Sequence, residues 1–338
     1  MEQRVLGRTG REVSVVGLGT WQLGADWGQV REEDALAVLD AAVESGVTFF
    51  DTADVYGDGR SERLIGRFLA ERPGADVFVA TKMGRRVDQL PGNYNLANFR
   101  AWTDRSRTNL GVETLDLVQL HCPPSEVYSS DEVFEALDTL VAEKRIAAYA
   151  VSVETCAQAL EAIARPGTAS VQIILNPFRL KPLQEVLPAA AEAGVGIIAR
   201  VPLASGLLSG RYTRETVFSP DDHRSFNRHG EAFDQGETFS GVDYETGLAA
   251  AAEFAGLAPE GMTPAQTALR WVIQQPGVTS VIPGARGTGQ ARANAAAAEL
   301  PPLPQRTLEA IAALFSLFTP SAPCLPSFPP RSPMCPCG

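Results

Sequence analysis

Three consecutive segments decide the fold: LDLVQL at residues 115–120, DEVFEALDTLVA at 131–142 and IAAYAV at 146–151. The outer two are short, largely apolar runs. The middle one places Val133, Leu137, Leu140 and Val141 at helical spacing. Strands that stay apolar without strict alternation are buried on both faces. A strand–helix–strand order joins such strands in parallel.

The same unit recurs in both directions from this stretch. Val15–Gly19 precedes Glu32–Ser45, Val47–Phe50 precedes Glu62–Ala70, and Val77–Thr81 precedes Leu96–Leu110. Beyond it, Ile146–Val151 precedes Cys156–Ala164, and Ser170–Leu175 precedes Leu183–Ala193. Val195–Ala199 precedes, after a long loop, Tyr244–Phe254 and Pro264–Gln274, and Val278–Ile282 precedes Gly289–Glu299. Eight units predict an α/β fold, a closed (β/α)8 TIM barrel. An open doubly wound sheet is the alternative. The first strand lacks the glycine-rich turn and directly following helix that such sheets use for dinucleotides, since Gly17-Leu18-Gly19-Thr20-Trp21 has no third glycine.

Gly7-Arg8-Thr9-Gly10 reads as a turn between two short extended segments, so an N-terminal β-hairpin is expected across the barrel floor. Residues 1–318 are assigned to the barrel. Residues 319–338 hold seven prolines and no helical period and are expected to be a disordered Pro/Cys-rich tail.

The 338 residues carry a formal charge of −11. No Lys/Arg block is present, which argues against a nucleic-acid partner. No apolar run reaches the roughly 20 residues of a membrane span. Met1–Gly10 has no apolar leader, and the five cysteines form no disulfide framework, so a cytoplasmic location is expected. Any anionic ligand would need a locally positive site. A homo-oligomer is left open.

In such barrels chemistry sits at the carboxyl ends of the strands. Those ends carry Asp51, followed by Asp54 and Tyr56, then Lys82, His121, Ser152, Gln172 with Asn176, Arg200, and Pro283-Gly284-Ala285-Arg286. Asp51, Tyr56, Lys82 and His121 make a coherent set for carbonyl reduction. A phenol is a poor proton donor unless its anion is stabilised, and Lys82 is the candidate cation. A buried lysine needs a carboxylate, and Asp51 is placed to serve. His121 can donate to the oxygen where negative charge develops. Two alternatives stay open: a purely structural Asp51–Lys82 pair, and a divalent metal on Asp51, Asp54 and His121. The second is disfavoured because only one histidine ends a strand, and no metal is expected.

These stretches resemble the aldo-keto reductase family. The resemblance is carried by Phe49-Phe50-Asp51-Thr52-Ala53-Asp54-Val55-Tyr56-Gly57, by Thr81-Lys82 and by Gln119-Leu120-His121-Cys122-Pro123, with Gly17–Trp21 and Val281–Arg286 extending it. It implies an NADP(H)-dependent oxidoreductase acting on small carbonyl compounds, with Tyr56 as general acid. It also implies that Gly19, Thr20, Trp21 and Asp51 border the cofactor. Ser152, Gln172 and Asn176 would lie at the nicotinamide, and Arg200 beneath it. Pro202, Leu203, Gly206, Leu208 and Gly210 would follow the pyrophosphate, and Gly284, Arg286, Gln290 and Asn294 the adenosine phosphate and adenine. Trp21, Trp27, Tyr56 and His121, with the loop near Tyr94, would form the substrate mouth.

Two departures from the family pattern matter: Val153 replaces an asparagine, and Arg200 replaces an aromatic. An added guanidinium is expected to disfavour NADP⁺ relative to NADPH. The stretch Thr213–Gly241 is long for a βα connection and is expected to be a lid or a subunit contact. An NADPH-holding regulatory module with little turnover is the competing functional class.

Overall fold

A computed structural model describes residues 1–24, 30–232 and 235–318. Expectations for Trp27 and for the 319–338 tail lie outside the described residues.

Strands β1 (Gln3–Val5) and β2 (Glu12–Ser14) pair antiparallel as the expected hairpin. Eight parallel strands follow: β3 (Leu18–Gly19), β4 (Phe49–Asp51), β5 (Phe78–Met83), β6 (Leu115–His121), β7 (Ile146–Ser152), β8 (Thr168–Ile174), β9 (Gly196–Arg200) and β10 (Ser280–Val281). They are ordered in space as in sequence. Val16 bridges Val281 and Gly19 bridges Gly284, both in parallel, and these bridges close the barrel. Helices such as Glu32–Glu44, Leu96–Leu110 and Asp131–Ala142 connect the strands.

The period of two along each strand explains how one barrel holds both a core and a site. Phe49, Phe78, Ala80, Leu117, Ala150 and Ile198 form one apolar cluster with Leu6 and Val13 of the hairpin. The intervening residues Phe50, Val79, Val118, Leu120, Val151 and Ile197 join the larger cluster that packs the helices. Two positions further along the inner face of each strand, the side chains turn polar: Asp51, Lys82, Gln119, Ser152 and Arg200. The hairpin closes the floor with apolar residues, and the chemistry is left at the other end. Gly7 enables that closure. A Cβ there would lie 2.1 Å from the Ala169 carbonyl oxygen.

Some boundaries differ from the sequence reading. The segment read as helical from Leu183 starts at Val186, after a 3-10 turn at Lys181–Leu183. Pro188 lacks an N–H and fits only in a helix's first turn, so the helix cannot begin earlier. A last helix, Gln305–Phe318, was not anticipated. No helix among the described residues is long and apolar enough to cross a membrane.

Candidate active site

Adjacent strands bring the four expected catalytic groups together. Asp51 ends β4, and Lys82 lies one residue from the end of β5. The Lys82 ammonium forms a buried ion pair with Asp51 Oδ1, and its Nζ donates to the Thr52 carbonyl at 2.9 Å. Lys82 Nζ lies 3.4 Å from the Tyr56 hydroxyl and 5.1 Å from the ring centroid. Asp51 Oδ2 accepts from Gln119 Nε2 at 2.9 Å and Gln172 Nε2 at 2.7 Å. Gln119 was not singled out from sequence. The signal was present: it stands two residues before His121, hence on the same inward face.

Burial works against the Lys82 ammonium, but Asp51 and then Tyr56 outweigh it and hold its pKa above the ordinary value. The Tyr56 phenol goes up as well, because burial is the larger influence and the pull of Lys82 the smaller. The expected lowering by Lys82 is thus present in direction and overridden in sum. Tyr56 is a protonated phenol beside a cation that can stabilise the phenolate once the proton leaves. Burial, then Arg85, Lys82 and Arg200, hold His121 well below its usual pKa, so its imidazole is neutral. Its ring meets Tyr56 edge-on, with centroids 6.0 Å apart. A metal on Asp51, Asp54 and His121 does not fit this wiring, because Asp51 already serves Lys82 and two amides.

Asp54 is fully buried, and neither carboxylate oxygen has a hydrogen-bond partner at normal geometry among the described residues. Burial first, and then nearby Glu62, push its pKa up to about 8. The folded chain then keeps a proton that an unfolded carboxyl, with a pKa of about 3.9, has already lost. This group's contribution to stability therefore falls as pH rises between those two values, by up to about 1.4 kcal/mol per pH unit. Asp54→Asn should flatten the decline in unfolding free energy between about pH 5 and pH 8. Urea denaturation across that range checks it; a slope equal to the parent's contradicts it.

A cavity of about 720 Å³ opens beside these groups. Gly19, Thr20, Trp21, Asp51, Tyr56, His121, Ser152, Gln172 and Arg200 line it, with Gly284 bridged to Gly19, and Pro202, Leu203, Gly206, Arg286, Gln290 and Asn294 add to the wall. Three expected contacts lie elsewhere. Leu208 is fully buried in the core, and Gly210 caps a turn packed against Pro264. Asn176 is fully buried; its Nδ2 donates to the Val201 carbonyl and Ser240 Oγ, and its Oδ1 accepts from the Phe178 amide. Val201 has φ of 52°, a strained value for a β-branched residue, and Asn176 helps hold it.

Tyr94 is buried between Phe99 and Trp102, and no residue of the loop near it, 84–95, lines the cavity. Trp21 does, stacked on Tyr56 at 6.0 Å. Trp21 also packs against His223, with ring centroids 4.8 Å apart. His223 belongs to the long 213–241 stretch, whose Thr216, Phe218, Arg224 and Glu237 form cavity wall. Arg200 is not the uncompensated cation expected. Its Nη1 lies 3.3 Å from Glu237 Oε1, and its Nη2 donates to the carbonyl of Val153, the residue that departs from the family pattern.

A barrel that sets a buried ammonium against a phenol, beside a long arginine-bearing cavity, has the arrangement that the resemblance to an oxidoreductase family implies. The sequence model of the aldo/keto reductase family matches residues 15–315, and the chain belongs to that family. Aldo-keto reductase YhdN of Bacillus subtilis (strain 168) is 31% identical over 299 residues, covering 87% of each chain. The solved glycerol dehydrogenase AKR11B4 from Gluconobacter oxydans superposes with a TM-score of 0.77 at 31% identity, covering 97% of this chain and 98% of that one. The holo form of aldo-keto reductase AKR11C1 from Bacillus halodurans gives 0.75 at 26% identity, covering 93% and 96%. The chain is therefore an enzyme of the carbonyl–alcohol oxidoreductase class.

Proposed function

We propose that this chain interconverts aldehydes or ketones and their alcohols with NADP(H), and that Tyr56 carries the proton. The observation that carries this reading is the Tyr56 hydroxyl, 3.4 Å from the Lys82 ammonium at the wall of the cavity.

The donor set suits a phosphorylated dinucleotide. Among the described residues Arg200, Arg211, Arg224 and Arg286 line the cavity, with Asp51 and Glu237 as the acidic groups, in a chain whose formal charge is −11. Gly206 has φ of 99°, and a Cβ there would meet the Tyr212 hydroxyl at 2.2 Å, so only glycine fits and its bare backbone lines the cavity. Arg286 lines the cavity just before the helix Thr288–Ala296, where backbone N–H groups and a guanidinium fork favour a phosphate. Ser152 and Gln172 would hold the carboxamide. Both amide hydrogens of Gln172 are committed to Asp51 and Gln119, so its carbonyl oxygen is the contact it offers.

When bound, the cofactor supplies the hydride, which no side chain can. The chain supplies the rest. Neutral His121 donates to the carbonyl oxygen, where charge accumulates. Tyr56 gives its proton to that oxygen, and Lys82 stabilises the phenolate left behind. Asp51, braced by Gln119 and Gln172, keeps Lys82 charged and in place. Trp21 offers an apolar wall beside Tyr56, which favours substrates with a flat or apolar body.

Arg286→Ala should abolish most of the preference for NADPH over NADH, through an increase in the NADPH dissociation constant of roughly 10–100-fold, the worth of a charge-assisted bidentate contact. Fluorescence titration with both cofactors measures it. A preference left intact would remove Arg286 from the 2′-phosphate site.

A further inference from the structure

Among the described residues four charged side chains form a cluster that reaches the cavity wall through Arg200 and Glu237. Arg85 follows β5, Glu154 follows β7, Arg200 ends β9 and Glu237 comes from the 213–241 stretch. Glu237 Oε1 lies 3.3 Å from both Arg85 Nη2 and Arg200 Nη1, and Arg85 Nη2 lies 3.3 Å from Glu154 Oε1. Glu237 is 7% exposed and Arg200 8%. Among the described residues two cations thus face two anions, where low polarity enlarges the effect of each. Cys122 adds no charge, because burial pushes its thiol pKa up. Cys122 Sγ and the two carboxylates lie within 4.8 Å of one another, and the arginines already supply the positive charge those carboxylates call for.

The cluster is fixed to the part of the cavity assigned to the nicotinamide. Cys122 Sγ is 3.4 Å from Ser152 Oγ, and Arg85 Nε donates to the His121 carbonyl at 3.1 Å. Arg200 and Glu237 line the cavity together with Ser152 and Gln172. Glu237 is itself held: Ser205 Oγ donates to its carbonyl at 2.9 Å, and the Phe239 amide donates to the same hydroxyl at 3.0 Å.

We infer that Glu237 balances Arg200 and thereby sets the relative affinity of the site for oxidised and reduced cofactor. The inference rests on the cofactor reading above. The two cofactor forms differ at the ring alone, where the oxidised form carries a positive charge and the reduced form none. A change of local charge next to the ring therefore acts mainly on one of them. Glu237→Gln keeps the size and one acceptor oxygen for the two arginines and leaves one cation unbalanced, which weakens binding of NADP⁺ and spares NADPH. Arg200→Gln leaves the carboxylate in excess and acts in the opposite sense.

Fluorescence titration of NADPH and NADP⁺ against the parent and the variants E237Q, R200Q and E237Q/R200Q tests this. The ratio of the NADP⁺ to the NADPH dissociation constant should rise on the order of tenfold in E237Q. It should fall in R200Q and return toward the parent value in the double variant. General loosening of the site cannot move the two single variants in opposite directions. Should E237Q fail to fold, the fall in R200Q still decides the matter. Unchanged ratios, or shifts of the same sign in both, overturn the inference. A parent protein that binds neither form overturns the cofactor reading itself, and the inference with it.

Discussion

Tyr56→Phe should lower kcat for NADPH-linked carbonyl reduction by about 10²–10⁴-fold, the worth of a positioned general acid, with NADPH binding retained. The geometry explains why the loss falls on the chemical step. The phenol's only charged hydrogen-bond partner among the described residues is Lys82, at 3.4 Å, so removing the hydroxyl takes away the proton and little of the wall. The ring continues to stack on Trp21. Steady-state rates with a panel of aromatic and short-chain aldehydes, together with a cofactor titration, separate the two effects. A variant that retains parent-like kcat would show that the proton comes from elsewhere.

Lys82→Met should be damaging for a different reason. Lys82 and Asp51 are 1% and 2% exposed, and taking away the ammonium leaves a carboxylate buried with only the Gln119 and Gln172 amides to face it. Breaking one side of such a pair costs about 3–5 kcal/mol of stability. Adding Asp51→Asn to Lys82→Met should recover much of that stability without restoring activity, because the phenolate would still lack its cation. Urea denaturation of the single and double variants measures the first effect and NADPH oxidation the second. A loss of less than about 1 kcal/mol in Lys82→Met, as for an exposed pair, would mean that the pair is not carrying an unscreened charge.

Much of this was legible in the sequence because period and position did separate work. The period of the apolar runs indicated eight strands, and position at their carboxyl ends singled out Asp51, Lys82, His121, Ser152, Gln172 and Arg200. The structure sets all six at one end of the barrel. Gln119 lies inside a strand as Gln172 does, and only its spacing of two residues from His121 marks its inward direction. Asn176 stood at a strand end like the others, yet its amide is spent holding the turn at Val201. Tyr94 looked like a mouth residue because it sits in a loop, but Phe99 and Trp102 draw it into the core. Glu237 was beyond reach. Nothing local marks it, since its partners Arg85 and Arg200 are distant in sequence and a 29-residue stretch, 213–241, had to be folded back to deliver it. That pairing also explains why reading Arg200 alone led to an expected excess of positive charge.

The central claim is that hydride from a nicotinamide and a proton from Tyr56 meet on one carbonyl at this site. Single-turnover reduction of para-nitrobenzaldehyde by the parent protein, loaded with NADPH deuterated at the transferable position of its ring, tests it most directly. The account predicts an alcohol carrying deuterium on the former carbonyl carbon, formed rapidly by the parent protein and at a small fraction of that rate by Tyr56→Phe. Alcohol free of deuterium, or equal rates for the two proteins, would contradict it.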